Sequence, residues 1–485
     1  MNEISHLSVD PNQQQRLAAS PVASVWVSAS AGTGKTKVLT DRVLNLLLTG
    51  TQPQRILCLT FTRAAAAEME SRIADQLGRW TMMEEDILLN ALEELLGEKP
   101  EDQMIQRARR LFAEVLDTPG GMNIQTIHAF CQSLLGRFPL EADVAPHFAL
   151  MDERDAEEML IAAREDLLNR ARCGQDEELA AALAEVTSHI HETQFPDLLA
   201  ELTYARGRLR RLIDNHGDIG AVIENVRSLL SVSADETPDS VITAASENEA
   251  FDELGLRVAI GALLEGNGND TKRGVRIQSW IDNTSRSLEA FFDYASIYLT
   301  DLTKASFNVR KTLITKPAAK KSPGVIDILN SEGIRLEQAV WHWRAVNIAK
   351  STSGLLVLGE ALLATYRAQK EERALLDYDD LILLAGELLH REGVAPWVLF
   401  KLDGGIDHVL IDEAQDTSLD QWRVIEALAD EFFAGLGSHE TPRTIFAVGD
   451  VKQSIYSFQG ANPITFGAMR DQFSGRAQAA GQEWR

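Results

Sequence analysis

Four short runs rich in β-branched and other apolar residues, Val25 to Ser28, Arg55 to Thr60, His408 to Asp412 and Thr444 to Gly449, are bounded by turn residues, and helical patterns follow most of them. That rhythm predicts an α/β fold with a parallel sheet. Two of the runs stand near the N-terminus and two beyond residue 400, with a mostly helical stretch between. A second domain is therefore expected to interrupt the first: residues 1–144 and 373–485 build the sheet, and 145–372 form a mainly helical insertion. Within the insertion, Ser228 to Glu253 is polar and acidic, and 266–274 (GNGNDTKRG) and 314–324 (ITKPAAKKSPG) read as loops between helical layers. No repeat period or sustained heptad is present.

Composition adds exclusions. The 485 residues are 45% hydrophobic and 25% charged, as in an ordinary soluble globular protein. No apolar run approaches the ~18 residues of a membrane helix, and the first residues lack the basic and apolar regions of a secretory signal, so a cytoplasmic protein with no membrane partner is expected. Cys58, Cys131 and Cys173 have no metal-ligand spacing and read as buried apolar side chains. With 72 acidic against 47 basic residues the formal charge is -25, which alone argues against nucleic-acid binding. Two basic patches oppose it: Arg206, Arg208, Arg210 and Arg211; and Lys304, Arg310, Lys311, Lys316, Lys320 and Lys321. Solvated helix faces and phosphate contacts are the alternative readings.

The strongest chemical signal is the run Val25 to Thr36, a strand leading through Ala29, Ser30, Ala31, Gly32, Thr33 and Gly34 into Lys35, Thr36 and a helix to about Leu48. Glycines in such a P-loop let backbone N–H groups turn toward a phosphate, the lysine neutralises its charge, and the helix N-terminus adds a favourable dipole. Ala29 stands where the general pattern has its first glycine. His408 to Thr417 is an apolar strand ending in Asp412 and Glu413. On a P-loop sheet Asp412 would hold Mg²⁺ with the Thr36 hydroxyl, and Glu413 would orient and deprotonate a water attacking ATP. In the third strand-to-loop segment, Gln453 is placed to sense the γ-phosphate, while Tyr456 and Phe458 offer stacking surfaces or core packing.

The segments ASAGTGKT, TFTRAAAAEM, NIQTIHAFC, IDEAQDT and VGDVKQSIYSFQGA, in this order, resemble the motifs of UvrD/Rep-type superfamily 1 DNA helicases, most closely the AddA-type subunits of double-strand-break repair in alphaproteobacteria. The resemblance implies a RecA-like motor domain, called 1A, carrying an inserted domain 1B matched by position alone. It implies a catalytic set of Lys35, Glu413 and Gln453. An adenine-reading glutamine is implied at Gln15 or Gln14, which spacing does not separate. Single-stranded DNA contacts are implied at Thr60, Phe61 and Thr62 and at Thr126 and His128; a core phenylalanine and a structural histidine are the alternatives. In the segment Leu376 to Leu381 the acidic residues read as structural.

Two departures matter. Lys37 stands where many relatives have an arginine against adenine, and Phe458-Gln459 replaces a tryptophan-arginine pair, which keeps a ring and loses a charge. The resemblance further implies a second motor domain and a nuclease domain that no segment here supplies, so the chain is expected to be the N-terminal part of a longer protein. The implied function is the ATP-binding half of an ATP-dependent 3′-to-5′ DNA helicase in recombinational repair, acting on single strands and duplexes with 3′ ends beside an AddB-like subunit. The alternative is a nucleotide-gated DNA-binding module that does not translocate.

Overall fold

The computed structural model describes residues 11–29, 34–174, 176–403, 405–433, 442–453 and 463–485. They form two compact units, one of residues Met1–Glu157 and Lys370–Arg485, the other of Glu158–Gln369.

The first unit is an α/β structure around a parallel five-stranded sheet. Its strands are β1 (Val25–Ser28), β2 (Ile56–Thr60), β3 (Asn123–Thr126), β6 (His408–Ile411) and β7 (Thr444–Gly449), in the order β1-β7-β6-β2-β3. A small parallel pair joins β4 (Ala149–Leu150) to β5 (Leu375–Leu376). The apolar runs that announce four of these strands are explained by burial on both faces. Trp26, Leu57, Leu59, Val409, Ile411, Ile445 and Ala447 enter one apolar layer, whereas Val25, Ile56, Cys58, Leu410, Phe446 and Val448 enter the other. Among the described residues β3 pairs only with β2, and its sequence, Asn-Ile-Gln-Thr, has one apolar residue, so it carried no strand signal. Since every strand is parallel, Ser28, Thr60, Thr126, Ile411 and Gly449 all end at one edge of the sheet. Ligands of open parallel sheets bind along that edge.

Among the helices flanking the sheet are α1 (Pro11–Ala18), α2 (Lys35–Leu48) and α3 (Arg63–Met82). Arg42 of α2 is fully buried and donates to the carbonyls of Ala18, Ser20 and Ala23 and to the Thr444 hydroxyl, tying α1 to β7.

The second unit is mainly helical. One core of this unit holds Trp280 stacked on Tyr294, with centroids 4.5 Å apart, and Tyr294 donates to the buried Glu332, which pairs with the half-buried Arg335. Three expectations are corrected here. Residues 268–274 open a helix, Gly268–Asp282, capped by Asn267, whose side chain accepts from the N–H groups of Asn269 and Asp270. Within 314–324, Lys316–Lys321 is a short helix. The helix Val325–Glu372 contains a window long and apolar enough to cross a membrane by length and composition, although Leu358 and Leu362 in its apolar stretch are fully buried. Among the cysteines, Cys58 and Cys131 are buried and Cys173 is exposed, a further correction.

Candidate functional site

At the sheet edge the chain leaves β1 through Ala29, whose N–H donates to the Gly449 carbonyl at 3.0 Å. Ser30, Ala31, Gly32 and Thr33 lie outside the described residues, as do Tyr456 and Phe458. Gly34 enters α2 with φ +87°, a conformation natural to glycine. A Cβ there would stand 3.3 Å from Nε2 of Gln15. Gln15 thus packs against the start of α2, whereas Gln14 is exposed. Lys37 points elsewhere, pairing with Asp41 at 2.9 Å on the exposed side of α2.

Lys35 turns inward. Its Nζ lies 2.9 Å from Oε2 of Glu413 and 3.3 Å from Oε1 of Gln453, bringing together residues from the ends of β1, β6 and β7. Glu413 has φ +49°, a sparsely populated conformation for a residue with a Cβ and one often kept at functional sites. Beside it, Asp412 donates its N–H to the Leu59 carbonyl and accepts the Glu413 N–H at 3.0 Å. Burial, followed by the charge of Glu413, pushes the Asp412 carboxyl up to about 6. A carboxylate so crowded is relieved by a bound cation. Among the described residues no three His, Cys, Asp or Glu side chains gather as a metal cage. Mg²⁺ needs none, because it takes one or two carboxylates and completes its shell with water and phosphate oxygens. Asp412, with the half-buried Thr36, fits that requirement.

One residue of this cluster was not expected from the sequence. Gln415 is 1% exposed and donates through Nε2 to Oε2 of Glu413 at 2.8 Å and to Oδ2 of Asp416 at 3.0 Å, while its Oε1 accepts the Asp450 N–H at 2.8 Å.

Farther along the edge, Phe61, Thr126 and His128 line a pocket with Arg63, Gln132 and Tyr378. The His128 ring meets Tyr378 edge-on, 5.7 Å between centroids, and burial lowers its basicity while Asp379 opposes the effect. Three of the threonines expected at DNA have internal bonds. Thr60 is buried and donates to the Thr62 carbonyl, the Thr62 hydroxyl caps α3, and the Thr126 hydroxyl caps the helix Ile127–Arg137. Tyr378 was likewise not expected, since its segment stands out in the sequence only for its carboxylates. Two of those carboxylates are structural: Asp377 and Asp380 form a capping box, and both pair with the buried Lys370.

In the second unit, Arg206 lies over the Tyr366 ring, Arg310 donates to the Ser296 carbonyl and Lys304 pairs with Asp301.

Residues 10–474 match the family model described as the UvrD/REP helicase N-terminal domain. Similar curated proteins include one from Pelotomaculum thermopropionicum, 27% identical over 469 residues (91% of this chain, 34% of the relative). Another, from Levilactobacillus brevis, is 26% identical over 507 residues (97% and 36%). A third, from Lactiplantibacillus plantarum, is 25% identical over 481 residues (93% and 36%). All three are named as the A component of an ATP-dependent helicase/nuclease, and the chain spans about a third of their length. A single match running through both units and ending beyond β7 places the chain in the UvrD/REP helicase family.

Proposed function

We propose that the chain is the nucleotide-binding part of an ATP-dependent 3′-to-5′ DNA helicase of the AddA type, serving double-strand-break repair by homologous recombination in the bacterial cytoplasm together with an AddB-like partner. The observation that carries the reading is the convergence of Lys35, Glu413 and Gln453 at the ends of three parallel strands.

Family membership brings ATP as the fuel. Gly34 and the start of α2 receive the phosphates, and Gln15 stands where it can read the base. Lys35 Nζ supplies the counter-charge and exchanges its bond to Glu413 for one to phosphate oxygen. Glu413, released from the lysine, accepts the proton of the attacking water at its carboxylate while Gln453 faces the terminal phosphate. Asp412 and Thr36 would hold Mg²⁺, which when bound neutralises charge on the phosphates. The pocket of Phe61, His128 and Tyr378 receives a base of single-stranded DNA, Phe61 stacking on it in the sequence-tolerant manner of such surfaces. Residues 158–369 take the place of domain 1B.

A fluorescent ATP analogue titrated with Mg²⁺ tests this reading. Lys35→Ala is expected to weaken binding by about 1.5–3 kcal/mol, the worth of a charge-assisted contact. Superimposable titrations of parent and variant would exclude Lys35 from the phosphate site.

A further inference from the structure

Gln415 has a side chain whose hydrogen bonds go to three neighbours, two in its own segment and one, Asp450, from the segment that follows β7. Its two N–H groups go to carboxylates, Glu413 Oε2 at 2.8 Å and Asp416 Oδ2 at 3.0 Å, and its carbonyl oxygen takes the backbone N–H of Asp450 at 2.8 Å. The amide has only one orientation that works. Turned over, its oxygen would face two carboxylates and its NH₂ would face an N–H, so all three contacts would become repulsive together. The fit is also sterically closed, because a Cβ on Gly449 would lie 2.7 Å from Gln415 Oε1 and 3.1 Å from its backbone nitrogen.

One end of this amide meets a residue proposed for the nucleotide, and the other meets the turn that carries a second. Glu413 Oε2, held by Gln415, is the same oxygen that pairs with Lys35 at 2.9 Å. Asp450 in turn accepts the Lys452 N–H on Oδ1 at 3.0 Å and the Gln453 N–H on its carbonyl at 2.9 Å, which shapes the turn that presents Gln453. We infer that Gln415 is a positioning residue that couples the charge state of the Lys35–Glu413 pair to the Asp450–Gln453 turn. When Lys35 leaves Glu413 for a phosphate, the carboxylate's remaining bond among the described residues is the one to Gln415, and a shift there moves the acceptor of the Asp450 N–H. The two ends form one unit because the amide is planar and fully bonded. This rests on the nucleotide reading of Lys35 and Glu413.

The test separates the two ideas by using two readouts on the full chain: equilibrium binding of Mg²⁺-ATPγS, and amide hydrogen exchange in peptides covering 449–453 with and without that nucleotide. In the parent, nucleotide is expected to change exchange at Asp450 and Gln453 by tenfold or more. Gln415→Met, similar in volume but unable to make the three bonds, should bind nucleotide within threefold of the parent, exchange faster at those amides, and lose the nucleotide-dependent change. A purely structural role would raise exchange with and without nucleotide and leave their ratio intact, and that result overturns the inference. So does a parent that binds nucleotide without any change at 449–453. Should Gln415→Met not fold, Gln415→Asn keeps an amide on a side chain too short to reach Glu413 and the Asp450 N–H together, so exchange at Asp450 should not respond to nucleotide; a retained response refutes the coupling. A parent that binds no nucleotide removes the function reading itself, and the relay with it.

Discussion

His408 lies at the start of β6, at the end of the sheet remote from Lys35, Glu413 and Gln453. It is buried, with Nδ1 2.8 Å from the Thr444 hydroxyl that Arg42 also reaches at 2.8 Å. Burial first, then the neighbouring charges of Arg42 and Arg443, lower its pKa from 6.5 to about 3, against the opposing pull of Asp407. The native state thus binds fewer protons than the unfolded chain between those two values. Stability from this site is intact above pH 6.5 and is lost as pH falls toward 3. At pH 4.5 the accumulated loss is roughly 2–3 kcal/mol, from about two units at 1.36 kcal/mol each. We expect the opening free energy of the β6–β7 strands, read by hydrogen exchange, to drop more between pH 7 and 4.5 in the parent than in His408→Gln by that amount. Equal losses would mean that His408 is not a source of acid sensitivity.

Strands, caps and turns join residues into the elements that hold the site, and Thr126 is where a structural and a binding role compete. Its hydroxyl accepts the Ala129 N–H at 3.2 Å, the bond of an N-cap, directly beside the Phe61–His128–Tyr378 pocket. Thr126→Ala should therefore cost about 1 kcal/mol of stability, and Thr126→Ser should restore it. If single-stranded DNA affinity per folded molecule falls in the alanine variant and returns in the serine variant, the hydroxyl also serves DNA; unchanged affinity assigns it to the helix alone. The same elements show what could be read in advance. β1, β2, β6 and β7 were legible because successive apolar residues of each enter both layers. β3 was not, since Ile124 is the single apolar residue among its four. The helix Gly268–Asp282 was hidden by its polar first turns, where Asp270 is buried through bonds to Thr315, a tertiary contact that no local pattern announces. In the site, Lys35, Asp412 and Glu413 declared themselves by motif. Gln415 and Tyr378 did not, because an amide and a ring gain their significance from partners distant in sequence or brought close by the fold. Which of Gln14 and Gln15 packs against Gly34 is likewise set by the fold and not by spacing.

At the scale of the whole molecule, the residues proposed for the nucleotide and the pocket belong to the unit of residues 1–157 and 370–485, and the apolar layers on either face of its sheet are built from that unit's own side chains. The 158–369 unit has a separate core, in which Trp280, Tyr294 and Leu336 are buried among one another's neighbours. A ligand that binds only the native first unit stabilises it by RT ln(1 + [L]/Kd), about 2.7 kcal/mol at a hundredfold excess over Kd. It gives no such increment to a core that opens on its own. Native-state hydrogen exchange at that excess of Mg²⁺-ATPγS should therefore raise the opening free energy of β1, β6 and β7 by about 2.7 kcal/mol and leave the peptides around Trp280 and Tyr294 unchanged. An equal gain in both cores would show that the two units open as one cooperative body, and nucleotide binding would then be felt by residues 158–369 through the unfolding equilibrium even without a contact to the ligand. A gain confined to the sheet would make the second unit an independently stable attachment, so that substitutions in its basic patches could be compared for DNA binding without disturbing the nucleotide site.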